Sequence, residues 1–164
     1  MGYAVWSLRQ RRFVLHGTVS TTPEVGRRYV SEDNSRRCRV LASAIRTIAF
    51  DYSVKLAVAE LPSGGAKSSS AATAMAMAAS IVSVSCHLLN IPLVVTTPGE
   101  SKRVVSAKGS VSKQQVQEWV ENNFEVTLPD VSEIREHVAD AMMALEVCRR
   151  NRPEGKLIRY GNKG

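Results

Sequence analysis

A chain of 164 residues, 44% apolar and carrying a formal net charge of +7, suits one domain with a sizeable core, and its positive excess favours a polyanionic partner. Its three cysteines, Cys38, Cys86 and Cys148, are far apart and form no C-x-x-C pair. That excludes a disulfide framework and a cysteine zinc knuckle, and it points to a reducing, cytoplasmic setting.

Tyr3–Leu8 is predicted as a strand under way from the first residues, and Arg12–Val19 alternates as its hairpin partner around Gln10 and Arg11. The segment is no signal peptide, because the apolar run is short and Arg9, Arg11 and Arg12 follow it. Pro23–Asn34 is polar and reads as loop or a short edge strand. Ser35–Phe50 sets Val40, Leu41, Ala44, Ile45 and Ile48 at helical spacing, with Arg36, Arg37, Arg39 and Arg46 off that stripe. Ser53–Gly65 (SVKLAVAELPSGG) reads as a strand buried on both faces, as in the middle of an α/β sheet, delivering Glu60 to a Ser- and Gly-rich loop. Open α/β sheets place ligands beyond the carboxyl ends of their strands, so Glu60 is either a site carboxylate or a solvated charge where a strand stops.

Lys67–Leu89 is a small-residue helix that suits close packing on the sheet or a dimer face. The run Ala71–Val95 is long enough to span a bilayer, but Ser80, Ser83, Ser85, His87, Asn90 and Pro92 weaken insertion. Pro92 divides the run into a buried helix and a buried strand, Ile91–Thr96, and no membrane role is expected. Pro98–Ser112 reads as a basic, glycine-containing loop, and Val111–Phe124 as an amphipathic helix with Val116, Trp119, Val120 and Phe124 on one face. Asp130 or Ser132 is expected to cap a last helix running to about Arg149. The order of elements predicts one α/β domain with a mixed sheet over residues 1–150, followed by a basic, flexible tail over 151–164. His16 and His87 read as structural, and Trp6 and Trp119 as core.

In the last helix, Ile134, Val138, Ala141, Met142 and Leu145 form the apolar stripe, and His137 and Asp140, three apart, share one side at its border. Glu133, Glu136 and Asp140 have a plain alternative reading as a solvated acidic face. Against it, Glu136 and Asp140 are like charges at i,i+4, which is unfavourable unless a cation sits nearby.

These residues resemble the RuvC-type Holliday-junction endonucleases of the RNase H and retroviral-integrase superfamily. GYAV at Gly2–Val5 is similar to the end of that family's first strand, and AVAE, ending at Glu60, to the strand carrying its second acid. Ser101–Gln117 (SKRVVSAKGSVSKQQVQ) resembles its basic loop and following helix, and His137–Leu145 (HVADAMMAL) its closing D-x-x-D-A helix. The resemblance implies an RNase H-like mixed central sheet flanked by helices. It also implies a homodimer, two-fold symmetric like the junction, that cuts phosphodiester bonds in Holliday junctions or other branched DNA during recombination and repair. It makes Glu60, His137 and Asp140 catalytic and metal-binding, with His137 in the place of the first Asp of the closing pair. It assigns Lys102 and Lys113 to DNA, and Arg103 and Lys108 fall in the same basic stretch. Two Mg²⁺ ions about 4 Å apart, with Mn²⁺ as a substitute suited to a histidine ligand, are the implied cofactors.

Two departures from the family bear on function. The family's first-strand Asp, in a pattern like G-I-D-P, lies before the G-Y match, and this chain has no Asp before Asp33. The expectation is either that the true start lies upstream of Met1, or that the chain is a catalytically impaired relative that binds junctions without cutting them. A different RNase H-like nuclease is the further alternative. After Glu60, where the family often carries an aromatic that inserts at the junction centre, this chain has Leu61, Pro62, Ser63, Gly64 and Gly65. Broader tolerance of branched DNA is expected from that change.

Overall fold

The structure is a computed structural model that describes residues 1–26, 29–61, 68–107 and 110–160. Alternation over the first residues forms the expected hairpin, with β1 (Gly2–Ser7) antiparallel to β2 (Arg12–Thr18) and Tyr3 opposite Gly17. The turn needs a left-handed residue, which Arg11 supplies at φ 54°, and a register shift at Val5/Trp6 adds local twist. The described residues group into two compact units.

The first unit comprises Met1, Val19–Ala57 and Pro62–Leu93. It contains α1 (Val30–Asp51) and α2 (Ser69–Leu88), which pack on each other. α1 begins five residues before the expected Ser35, so part of the segment assigned to loop is its first turn. That turn is fixed by Asp33, whose buried carboxylate accepts two hydrogen bonds from Arg36 and one from the Glu24 N–H. The Arg36 guanidinium holds Asp33 below the ordinary carboxylate range. Asp33 is thus a structural acid and no substitute for a first-strand ligand.

The expectation of a buried α2 is corrected. Only Cys86 is buried along it, and Val84 and Leu88 stay exposed, because a helix with α1 as its main packing partner has too few neighbours to cover it. By length and composition α2 is apolar enough to cross a bilayer. His87 is exposed too, not a core histidine.

The second unit comprises Gly2–Thr18, Val58–Leu61 and Val94–Gly164. β3 (Ala57–Glu60) and β4 (Leu93–Thr96) pair in a two-stranded sheet, with the Ala57 N–H on Pro92 O and the Leu61 N–H on Thr96 O, a parallel ladder. The expected long strand from Ser53 shrinks to four half-buried residues, since Ser53 takes a left-handed φ of 48° that ends the preceding turn. β4 is likewise one-sided, with Val94 and Thr96 buried and Val95 exposed. The mixed central sheet is represented, among the described residues, by these two two-stranded pieces.

The helices of this unit are α3 (Pro98–Val105), α4 (Lys113–Phe124), α5 (Ser132–Asn151) and α6 (Gly155–Tyr160). Neither Asp130 nor Ser132 caps α5; its N-cap is Val131, with no side-chain cap. The first turn is tethered instead by Arg135, which reaches Glu121 and Gln117 of α4 and the Leu128 carbonyl. The expected tail is corrected for residues 151–160, where α6 packs on α5. A Cβ at Gly155 would strike the Cys148 carbonyl, and only glycine allows that approach.

α5 is the axis of the unit and packs against β1, β2, α3, α4 and α6. Its Val138, Ala139, Met142 and Met143 join Phe13, Val116, Val120 and Leu128 in one core. Trp6, Phe13, Phe124 and Trp119 extend that core edge to face, with ring centroids 4.9–6.1 Å apart. Met142 is fully buried at the centre. Met142→Ala is expected to cost about 2–5 kcal/mol, read as a lower urea midpoint.

Candidate active site

Glu60 is the last residue of β3, so backbone pairing with β4 holds the position of its carboxylate. The chain leaves β4 directly into α3. Thr97 caps that helix by accepting the Glu100 N–H, and the Glu100 carboxylate accepts from the Thr97 N–H in return, with Pro98 in the first helical position. The segment Pro98–Ser112, expected as loop, is therefore helical through Val105. One residue beyond the capping box, Ser101 is buried and donates its hydroxyl proton to Glu60 Oε2 at 2.6 Å.

Asp140 arrives from α5. It is half-buried and follows the fully buried Val138 and Ala139. β1 comes in beside the same stretch, and a Cβ on Gly2 would collide with the His137 carbonyl, so a glycine is what permits that contact. His137 itself is about half exposed, with Nε2 4.0 Å from Glu133.

Burial pushes the Glu60 carboxyl up, the Asp140 charge adds to the rise, and the Ser101 hydroxyl and Lys102 oppose it. Burial likewise pushes Asp140 up, with Glu136 adding to it, while His137 and Lys113 oppose. Lys113, the first residue of α4, pairs with Glu136 at 2.5 Å, and that bond raises its own pKa. The cation that the i,i+4 pair Glu136 and Asp140 called for is therefore Lys113.

The Asp140 charge thus reaches Glu60 at the end of β3. His137 lies one turn from Asp140 on α5, but the three do not assemble into one cage: among the described residues no three His, Cys, Asp or Glu side chains are placed to hold a metal ion. The donor chemistry nonetheless fits a hard divalent cation. Two carboxylates, both driven toward protonation by burial and neighbouring negative charge, are short of positive charge, and Mg²⁺ commonly takes only one or two protein carboxylates.

The basic residues divide. Lys102 and Arg103 are exposed on α3, and Lys113 is at the start of α4. Lys108 lies outside the described residues, as do Pro62, Ser63, Gly64 and Gly65. Sequence reasoning missed Ser101, Glu100 and Arg152. The T-P-G-E capping box was the available signal for Glu100. Nothing local marked Arg152, whose Nη2 reaches Glu100 Oε1 at 2.6 Å from 52 residues away.

No family model and no curated protein matches the chain. Among solved structures, it is similar to Thermus thermophilus RuvC, with a TM-score of 0.62 and 16% identity over 81% of this chain and 72% of that one. It is also similar to T. thermophilus RuvC in complex with a Holliday junction substrate, with a TM-score of 0.66 and 17% identity over 87% of this chain and 82% of that one. The chain therefore has the RuvC fold, an RNase H-like α/β architecture.

A carboxyl group with a raised pKa binds its proton more tightly in the folded chain than in the unfolded one. The folded state is then penalised as pH rises from the ordinary carboxylate range through the raised value, and not at all below that range. Asp140→Asn is accordingly expected to raise Tm at pH 7, and the gain is expected to vanish as pH falls below the ordinary Asp value of 3.8. A scan of Tm against pH for both proteins checks this.

Proposed function

We propose that this chain is a divalent-metal-dependent endonuclease that cuts phosphodiester bonds in branched DNA, including four-way junctions, as a homodimer in the cytoplasm. The observation that carries the reading is the carboxylate pair, Glu60 at the end of β3 and Asp140 on α5, both strained toward protonation, on a fold shared with a junction-bound RuvC. Acids whose pKa is raised by burial and neighbouring charge, at the end of a strand, are candidates for a functional site.

Glu60 and Asp140 are the residues that would hold the metal, and His137 lies one helical turn from Asp140 on α5. Bound Mg²⁺ or Mn²⁺ supplies Lewis-acid activation of water and charge neutralisation at the scissile phosphate. The chain's own part is to present Glu60 and Asp140 within reach of each other's charge and to keep cations around them. Lys113, already paired to Glu136, neutralises the rim in the absence of DNA, and a phosphate oxygen can take Glu136's place on its ammonium. Exposed Lys102 and Arg103 on α3 suit phosphate contact, which positions the strand without reading sequence.

A second reading, a junction binder with an impaired site, is favoured by the lack of a three-ligand group among the described residues. Cleavage of a labelled four-way junction with Mg²⁺ or Mn²⁺ separates the two. The nuclease reading expects divalent-dependent cutting that Glu60→Gln or Asp140→Asn lowers by about a hundredfold or more, corresponding to a loss of roughly 3 kcal/mol of transition-state stabilisation. Tight, junction-selective binding without cutting would establish the second reading, and equal binding to duplex and junction would dismiss both. In the binding assay, Lys102→Ala and Lys113→Ala are each expected to weaken junction affinity and to reduce the salt slope by about one.

A further inference from the structure

Ser101 is 4% exposed, and its hydroxyl faces the carboxylate of Glu60 at 2.6 Å. A buried hydroxyl and a half-buried carboxylate both need a partner, and here each answers the other. The helix that carries Ser101 is held in place. Its Glu100 accepts from the Thr97 N–H at 2.9 Å, from Thr97 Oγ1 at 3.1 Å and from Arg152 Nη2 at 2.6 Å. Arg152 is the C-cap residue of α5, the helix that also carries Asp140. A continuous path of bonded groups therefore runs from the Asp140 helix through Arg152 and Glu100 to Ser101, and from there to Glu60.

We infer that Ser101 is a positioning residue for Glu60, and that the Arg152–Glu100 ion pair sets where Ser101 stands. The hydroxyl occupies one lone pair of Oε2 and fixes the plane of the carboxylate. Oε1 and the remaining lone pairs are left for a cation. Groups that hydrogen-bond a ligating carboxylate fix its orientation, and their loss weakens metal binding about 10–100-fold in comparable sites. The inference deepens the nuclease reading and rests on Glu60 being a metal-binding carboxylate.

The test is Mn²⁺ affinity of the full chain, followed by electron paramagnetic resonance without DNA, beside cleavage of a four-way junction at saturating Mn²⁺. Glu60→Gln is expected to lose Mn²⁺ binding. Ser101→Ala is expected to bind about 10–100-fold more weakly, with kcat lowered and KM for the junction unchanged. Ser101→Thr, which restores the hydroxyl, should return affinity to within a few-fold of wild type, and Arg152→Gln should give a smaller loss than Ser101→Ala. Ser101→Cys, of similar volume but a weak donor, is read in place of the alanine variant if that variant does not fold. If Ser101→Ala lowers Tm but binds Mn²⁺ as wild type does, the hydrogen bond is structural only and the inference is overturned. A threonine variant as weak as the alanine one overturns the role of the hydroxyl. If wild type and Glu60→Gln bind Mn²⁺ alike, or neither binds, the metal-ligand reading of Glu60 fails, and the inference with it.

Discussion

Removal of one helix from water is the constraint on which the second unit depends. Along α5, Val138, Ala139, Met142, Met143, Ala144, Val147 and Cys148 are each at most 1% exposed. Full burial of a Val or Met side chain contributes about 1.5–3 kcal/mol, so this face alone is large beside a net stability of roughly 5–15 kcal/mol. Everything of functional interest in the unit is referred to that axis. Asp140 follows two of its most buried residues, and β1 meets it at His137 through Gly2. Arg135 binds α4 to its first turn, and Arg152 binds α3 to its last.

The acids of the unit fall into two groups by how their charge is answered. Glu146 is fully buried, yet Arg149 and Arg150 from its own helix reach it at 2.7 and 2.6 Å. Those two guanidiniums lie over Trp6 and Trp119, so the charges are covered as well as paired. Glu121 has Arg135, and Glu100 has Arg152, which holds its carboxyl low despite burial. Glu60 and Asp140 have no arginine partner among the described residues, and both are pushed up. A buried acid with its own guanidinium is a building element. Acids with raised pKa and no guanidinium are the ones whose charge the described residues leave least answered.

How far the site was legible varies residue by residue. Glu60 announces itself because a lone acid follows AVA at a strand end, and Asp140 because the apolar period of α5 leaves it on the border of the stripe. The cation required by Glu136 and Asp140 was also legible as a need, though its identity was not. That cation is Lys113, which the resemblance had assigned to DNA and which α4 sets against Glu136. Ser101 was invisible, since a serine in a basic stretch has no period or spacing to distinguish it. The misreadings share one cause. An apolar run such as that of α2, or of Ser53–Glu60, shows that side chains avoid water, but not which neighbours exist to cover them.

By itself the sequence determined the elements whose cause is local: the hairpin from its alternation, and α4 and α5 from their 3.6-residue period. It also determined which acids had no local partner. Only the tertiary structure decided what those acids meet, because Ser101 meets Glu60 across 41 residues and Arg152 meets Glu100 across 52. Contacts of that separation form when buried faces dock. Their partners are chosen by the packing of elements such as α3 on α5, a property of the whole chain that no window of sequence contains.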